Sequence, residues 1–249
     1  MSVAVPAREA ATVVLLRDAP AGLQTWLLRR VPKMTFAPGM SVFPGGGVDP
    51  VDASGPSAST AGAVAEQFGI TPEQAEVLLR TAAREIREET DVALPLESIR
   101  PWARWITPQA EPRRYDTYFF VAAVPSGGQA AAVTGEASHA DWIAISDALA
   151  EYERDERPML PPTVANLIEL SAFAQVADVL AATAQRTIRP VQPVLRQDET
   201  GAWVADLGDG RTLLPESFVT ASGRKLSDGP RPDADAAAAG EPAAGEPAP

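Results

Sequence analysis

Two short apolar runs open the chain, Ala11–Arg17 and Leu23–Arg30, separated by Asp18-Ala-Pro-Ala-Gly22. Apolar runs bounded by Pro and Gly predict two strands joined by a turn. A third brief strand, Ser41–Phe43, runs into the glycine-rich turn Pro44-Gly45-Gly46-Gly47. Residues 48–69 mix Gly, Ser and Ala, predicting an inserted stretch with one weak helix. At Thr71 the period changes. Thr71 is suited to cap a helix, Pro72 to its first position and Gln74 to completing a capping box. At 100° per residue, Ala75, Leu79, Ala82, Ala83, Ile86 and Thr90 fall on one apolar stripe, predicting a helix over Pro72–Thr90 with that stripe on the core.

Downstream, Trp102–Ile106, Thr117–Val124 and Asp141–Ile145 read as strands, Ser146–Tyr152 as a short helix and Thr163–Ala184 as a long one. Val191–Leu195, Trp203–Ala205 and Thr212–Leu214 read as short strands of a C-terminal extension at about 185–220. Strands interleaved with helices predict an α/β fold. The last stretch differs. Residues 226–249 include eight Ala, five Pro and three Gly, too little apolar area to offset ordering, so 221–249 is expected to be a disordered tail.

Candidate chemistry lies on the predicted helix. Glu85, Glu88 and Glu89 stand at i, i+3 and i+4 and share one face, at the rim of the apolar stripe. Two carboxylates about 6 Å apart repel by roughly 2–3 kcal/mol at an effective dielectric near 20. Arg84 is placed to neutralise one, and a hard divalent cation with oxygen ligands is the natural occupant for the rest. An isolated acidic cluster is more often a solvated face, and a glycine run taken alone is more often a plain turn. Their combination is what points to a site, because glycines bring bare backbone close to the acids.

The combination resembles the Nudix box of the Nudix hydrolases: Gly, five residues, Glu, seven residues, Arg-Glu, apolar, any residue, Glu-Glu, any residue, Gly, apolar. Arg84, Glu85, Ile86, Glu88, Glu89 and Val92 match, with Asp91 in place of the final Gly. The box is split: five residues after Gly46 comes Asp52, and 31 residues rather than seven separate Asp52 from Arg84, an insertion at about 53–75. Asp52 and Glu76 both remain candidates for the part of the first Glu. Pro38–Gly46 with Asp49 and Asp52, Trp105–Pro108, Arg113–Phe120 and Met159–Thr163 are similar to the insertion-containing coenzyme A diphosphatase subgroup.

The resemblance implies a Nudix domain over residues 8–220, an α/β/α sandwich with a mixed central sheet. It implies hydrolysis of a nucleoside diphosphate linked to another group, either coenzyme A or an acyl ester giving 3′,5′-ADP and (acyl-)4′-phosphopantetheine. The alternatives are a Nudix hydrolase of ADP-ribose, a dinucleoside polyphosphate or an oxidised nucleotide, and a non-catalytic nucleotide-binding module. By the same resemblance the metal ligands are Glu85, Glu88, Glu89 and the Gly46 carbonyl, holding Mg²⁺ or Mn²⁺. Glu85, Glu88, Arg84 and Glu136 are the catalytic candidates, Arg84 orienting the carboxylates and Glu136 a loop base. Substrate contacts fall to Gly45, Gly46, Gly47, Arg30 and Arg114, although Arg113 and Arg114 are equally suited to pairing with Asp116 or Glu111. Because members often dimerise, a homodimer is among the expected assemblies.

Composition sharpens this by exclusion. The 249 residues carry a net charge of −12, which opposes binding to nucleic acid or an anionic membrane. With no cysteine and His139 the sole histidine, disulfides, thiolate metal sites and multi-His sites are excluded. The absence of a signal-like start and of a spanning apolar run leads to an expected cytoplasmic location.

Overall fold

The computed structural model describes residues 5–34, 37–109, 111–125, 130–131, 137–197, 199, 203–207 and 212–213. The expected tail at 221–249 lies outside the described residues. Strands β1 (Arg8–Ala19) and β2 (Gly22–Arg30) form the first hairpin, but pair with each other only near its turn, from Leu16↔Thr25 to Ala19↔Gly22. Beyond that they splay, and β3 (Ser41–Val42) pairs with β2 while β4 (Gly45–Gly47) pairs with β1. The glycine run is thus a strand and not the expected turn. It fits because a Cβ at Gly45 would lie 2.7 Å from the Thr12 Cα.

On the other side of β1, β6 (Tyr115–Ala123) runs parallel to it, followed by β5 (Arg100–Ile106) and the two-residue β8 (Pro190–Val191). β7 (Ala137–Ala144) pairs with β2, completing a mixed eight-stranded sheet. Val13 and Leu15 point to one face, Val14 and Leu16 to the other, and all four are fully buried. A sheet with two apolar faces needs helices on both. α1 (Ala61–Phe68) and α2 (Pro72–Thr90) cover the first face; α3 (Ile145–Glu153), α4 (Pro161–Leu170) and α5 (Val176–Thr183) cover the second. This is the expected α/β/α sandwich. No helix among the described residues is long and apolar enough to cross a membrane.

Helix α2 begins and ends where its sequence predicts. Thr71 accepts a hydrogen bond from the Gln74 amide, and Asp91 closes the helix in the left-handed conformation at φ 59°. Its buried face also takes in Leu78, Thr81 and Glu89. Each large aliphatic side chain so buried is worth about 1.5–3 kcal/mol. The capping box is not completed, because the Gln74 side chain reaches Glu9 and the Tyr118 hydroxyl instead. The inserted segment is part of the core: Phe68 of α1 packs edge-on against Tyr118 and Phe120.

The expected long helix over Thr163–Ala184 is two helices. They part at Ser171–Gln175, where Phe173 turns against Trp102 and Asp18 accepts from the Val176 amide at 2.8 Å, capping α5 from a distant strand. The predicted strand Val191–Leu195 is also divided, into β8 and β9 (Val194–Gln197), at Pro193, which has no N–H to give a ladder. β9 pairs with β10 (Trp203–Asp206), and β10 with β11 (Thr212–Leu213), in a separate three-stranded sheet.

Candidate active site

Arg84 is the hub of the acidic cluster. Its Nε and Nη2 donate to the two carboxylate oxygens of Asp52, both at 2.9 Å, a two-pronged geometry that suits guanidinium to carboxylate. Nη2 also donates to the Gly47 carbonyl at 3.1 Å, and Nη1 to Glu85 at 2.7 Å and Glu88 at 3.2 Å. The split box is therefore closed in space by Asp52, which is only 3% exposed and also accepts from Thr81 and the Asp49 amide. The other candidate, Glu76, pairs with Arg80 one turn along the helix. Burial by itself would raise the Asp52 pKa, but the hydrogen bonds from Arg84, the Asp49 amide and Thr81 outweigh it and hold the carboxyl below its ordinary value.

The glycine strand faces the acids directly. The Gly45 amide donates to Glu89 at 2.9 Å, and a Cβ on Gly46 would overlap the Glu85 carboxylate. Burial pushes the Glu85 carboxyl above the usual carboxylate range against the opposing pull of Arg84, whereas Glu88 is 56% exposed. Among the described residues no three acidic or His side chains close on one point. What the structure offers instead is the Glu85 and Glu89 carboxylates beside bare Gly46 backbone, an all-oxygen set that fits a hard divalent cation completing its shell with water and phosphate oxygens.

These groups form one wall of a cavity of about 500 Å³. Glu85, Glu88, Glu89, Gly45, Gly46, Gly47 and Arg30 all line it. Arg114 does not. It is buried and donates to the backbone carbonyls of Thr107 and Val5, strapping the N-terminal segment to the β5–β6 loop. Asp116, a proposed partner for it, is taken by Arg104. Glu136 lies outside the described residues, and His139 is exposed on β7. Phe43, Trp105, Phe119, Leu160 and Pro161 also line the cavity, with Tyr115 and Glu111; the resemblance singles out the segments that hold most of them but gives these side chains no role. Tyr118 and Phe120 pack in the core beneath α1 and α2, and Phe119 between them faces the other way, as strand alternation requires.

The NUDIX domain model matches residues 6–162, and the chain belongs to the Nudix family. It is a Nudix pyrophosphohydrolase, of a family that generally needs divalent metal ions. A Nudix hydrolase from Alicyclobacillus acidocaldarius shares the fold at TM-score 0.59 and 24% identity, covering 71% of this chain and 96% of that one. An Ap4A hydrolase from C. elegans (18% identity, TM-score 0.43, 70% and 98% covered) is more distant. So is the NUDIX domain of Shewanella oneidensis NrtR complexed with ADP ribose (16%, 0.46, 68% and 88%). No curated protein matches the chain.

Proposed function

We propose that this pyrophosphohydrolase cleaves the diphosphate bond of coenzyme A or its acyl esters, releasing 3′,5′-ADP and (acyl-)4′-phosphopantetheine. One observation carries the reading. Three segments of the diphosphatase-like signature, scattered along the sequence, meet in one cavity: Trp105–Pro108 and Leu160–Thr163 line it, as do Tyr115, Thr117 and Phe119. The acid wall lines the same space, so diphosphate chemistry and an apolar substrate arm share one chamber.

In this reading Glu85 and Glu89, with Gly46 backbone, would hold Mg²⁺ or Mn²⁺, which suits an all-oxygen donor set. Bound there, such an ion would supply shielding of the anionic diphosphate and of the charge on the leaving oxygen. Arg84 touches no reacting atom; it orients Glu85 and Glu88 while anchored on Asp52. Water attacks one phosphorus, the bridging P–O bond breaks with its electron pair leaving on the other phosphate, and the water proton passes to a carboxylate. Glu88, the most exposed of the three acids, takes that part here, with Glu136 the second candidate.

Product chromatography tests this. Coenzyme A, ADP-ribose and a dinucleoside polyphosphate are incubated with Mg²⁺ or Mn²⁺ and either wild type or Glu89→Gln. Metal-dependent 3′,5′-ADP that disappears in the variant is the expected result. Cleavage of the other compounds alone would discard coenzyme A as substrate.

A further inference from the structure

One row of residues runs beneath the cavity across five strands. Gly47 of β4 stands opposite Ala10 of β1, Ala10 opposite Thr117 of β6, Thr117 opposite Trp105 of β5, and Trp105 opposite Val191 of β8. All but Val191 line the cavity, and Pro193, two residues further on, lines it as well. Neighbouring strands lie about 4.8 Å apart, so four steps carry this row roughly 19 Å away from the acids.

The two ends differ in chemistry. At the β4 end stand Glu85, Glu88 and Glu89; the β5–β8 end is lined by Trp105, Ile106, Thr107, Pro108 and Pro193, with Glu111 from the β5–β6 loop. Among the described lining residues the one cation is Arg30, on β2, on the other side of β1 from β5. No described cation lines the β5–β8 end to receive a phosphate, whereas an uncharged chain there would meet rings and aliphatic surface.

We infer that the C-terminal extension belongs to the active site, and that Pro193 is a specificity-determining wall for an elongated, uncharged arm of the diphosphate substrate. This rests on the hydrolase reading above and adds an orientation to it: phosphates toward β4, the neutral arm toward β8. The extension is tied to the domain at two described points. β8 is laddered onto β5, and Leu207, just past β10, is buried in the same core cluster as Trp105. The family match ends at residue 162, so this wall belongs to the part of the chain beyond the matched domain.

The test compares full-length wild type with Pro193→Trp, which fills that end, on hexanoyl-coenzyme A, coenzyme A and ADP-ribose, whose second arm is a single sugar. Expected is a rise in KM of at least about tenfold for both coenzyme A compounds, with kcat, melting temperature and the KM for ADP-ribose nearly unchanged. Equal shifts for all three substrates, or none, would overturn the inference. Should wild type cleave ADP-ribose but neither coenzyme A compound, the hydrolase stands and the inference falls. If wild type cleaves nothing, calorimetric binding of hexanoyl-coenzyme A decides: about tenfold weaker binding to Pro193→Trp supports the wall, and equal binding removes it. Should Pro193→Trp melt early, Pro193→Gly replaces it, with about a threefold rise in KM for hexanoyl-coenzyme A alone expected.

Discussion

Arg84 grips Asp52, 32 positions away in sequence, through two parallel hydrogen bonds of 2.9 Å. The pair joins α2 to the single 3-10 turn Pro50–Ala53 that follows the glycine strand. It also leaves Arg84 facing Glu85 and Glu88 in one fixed orientation.

Asp52→Asn keeps the shape and removes the charge. Hydrogen bonds to charged groups contribute about 1.5–3 kcal/mol, so we expect a loss near 2 kcal/mol and a melting temperature lower by about 4–8 °C. Glu76→Gln removes a helix-surface pair and is expected to cost about 0.3–0.5 kcal/mol. Calorimetric melts compare the two. Equal losses would mean that Asp52 is not the anchor.

The same aspartate carries a pH signature. Its folded pKa is depressed, so its contribution to stability is complete above the unfolded value of about 4 and is lost as pH falls through the folded value. Urea midpoints of wild type and Asp52→Asn are therefore expected to differ at pH 6 and to converge toward pH 2. A gap that stays constant over that range would exclude the linkage.

Gly46 and Gly47 are expected to differ sharply in tolerance. A Cβ at Gly46 overlaps the Glu85 carboxylate, while one at Gly47 meets nothing nearer than the Glu9 carbonyl at 3.9 Å. A shift of about 1 Å in a catalytic group costs about a hundredfold, so Gly46→Ala is predicted to lose that much kcat/KM and Gly47→Ala only a few-fold. Similar activities in the two variants would mean that Glu85 does not need its present position.

Asp18 caps a helix it does not belong to. Asp18→Ala is expected to cost about 1 kcal/mol through the exposed N-terminus of α5, with kcat/KM unchanged. Loss of activity without loss of stability would contradict that role.

Much of this architecture is legible in the residues alone. Helix α2 carries its cap, its first-turn proline and its stripe within twenty positions, so local physics delimits it. Arg84 and the three glutamates ride on that helix and come with it. The division of Thr163–Ala184 is different, since it depends on Asp18 and Trp102, which reach the break only after the sheet has formed. The choice between Asp52 and Glu76 is of the same kind: spacing offers both, and only the path of the inserted segment brings one to Arg84. That Phe119 and Trp105 border a cavity follows from neighbours distant in sequence, which no local pattern displays.

The insertion shows how little chain length matters to a clasp of this kind. Lengthening the connection between the clasped residues from seven to 31 is just over two doublings, which costs about 1.3 kcal/mol of closure entropy. Burial of Phe68 alone is of that size or larger. A reaction centre whose parts are reunited by side chains, and not by a short loop, can host new sequence in its middle while its geometry is kept.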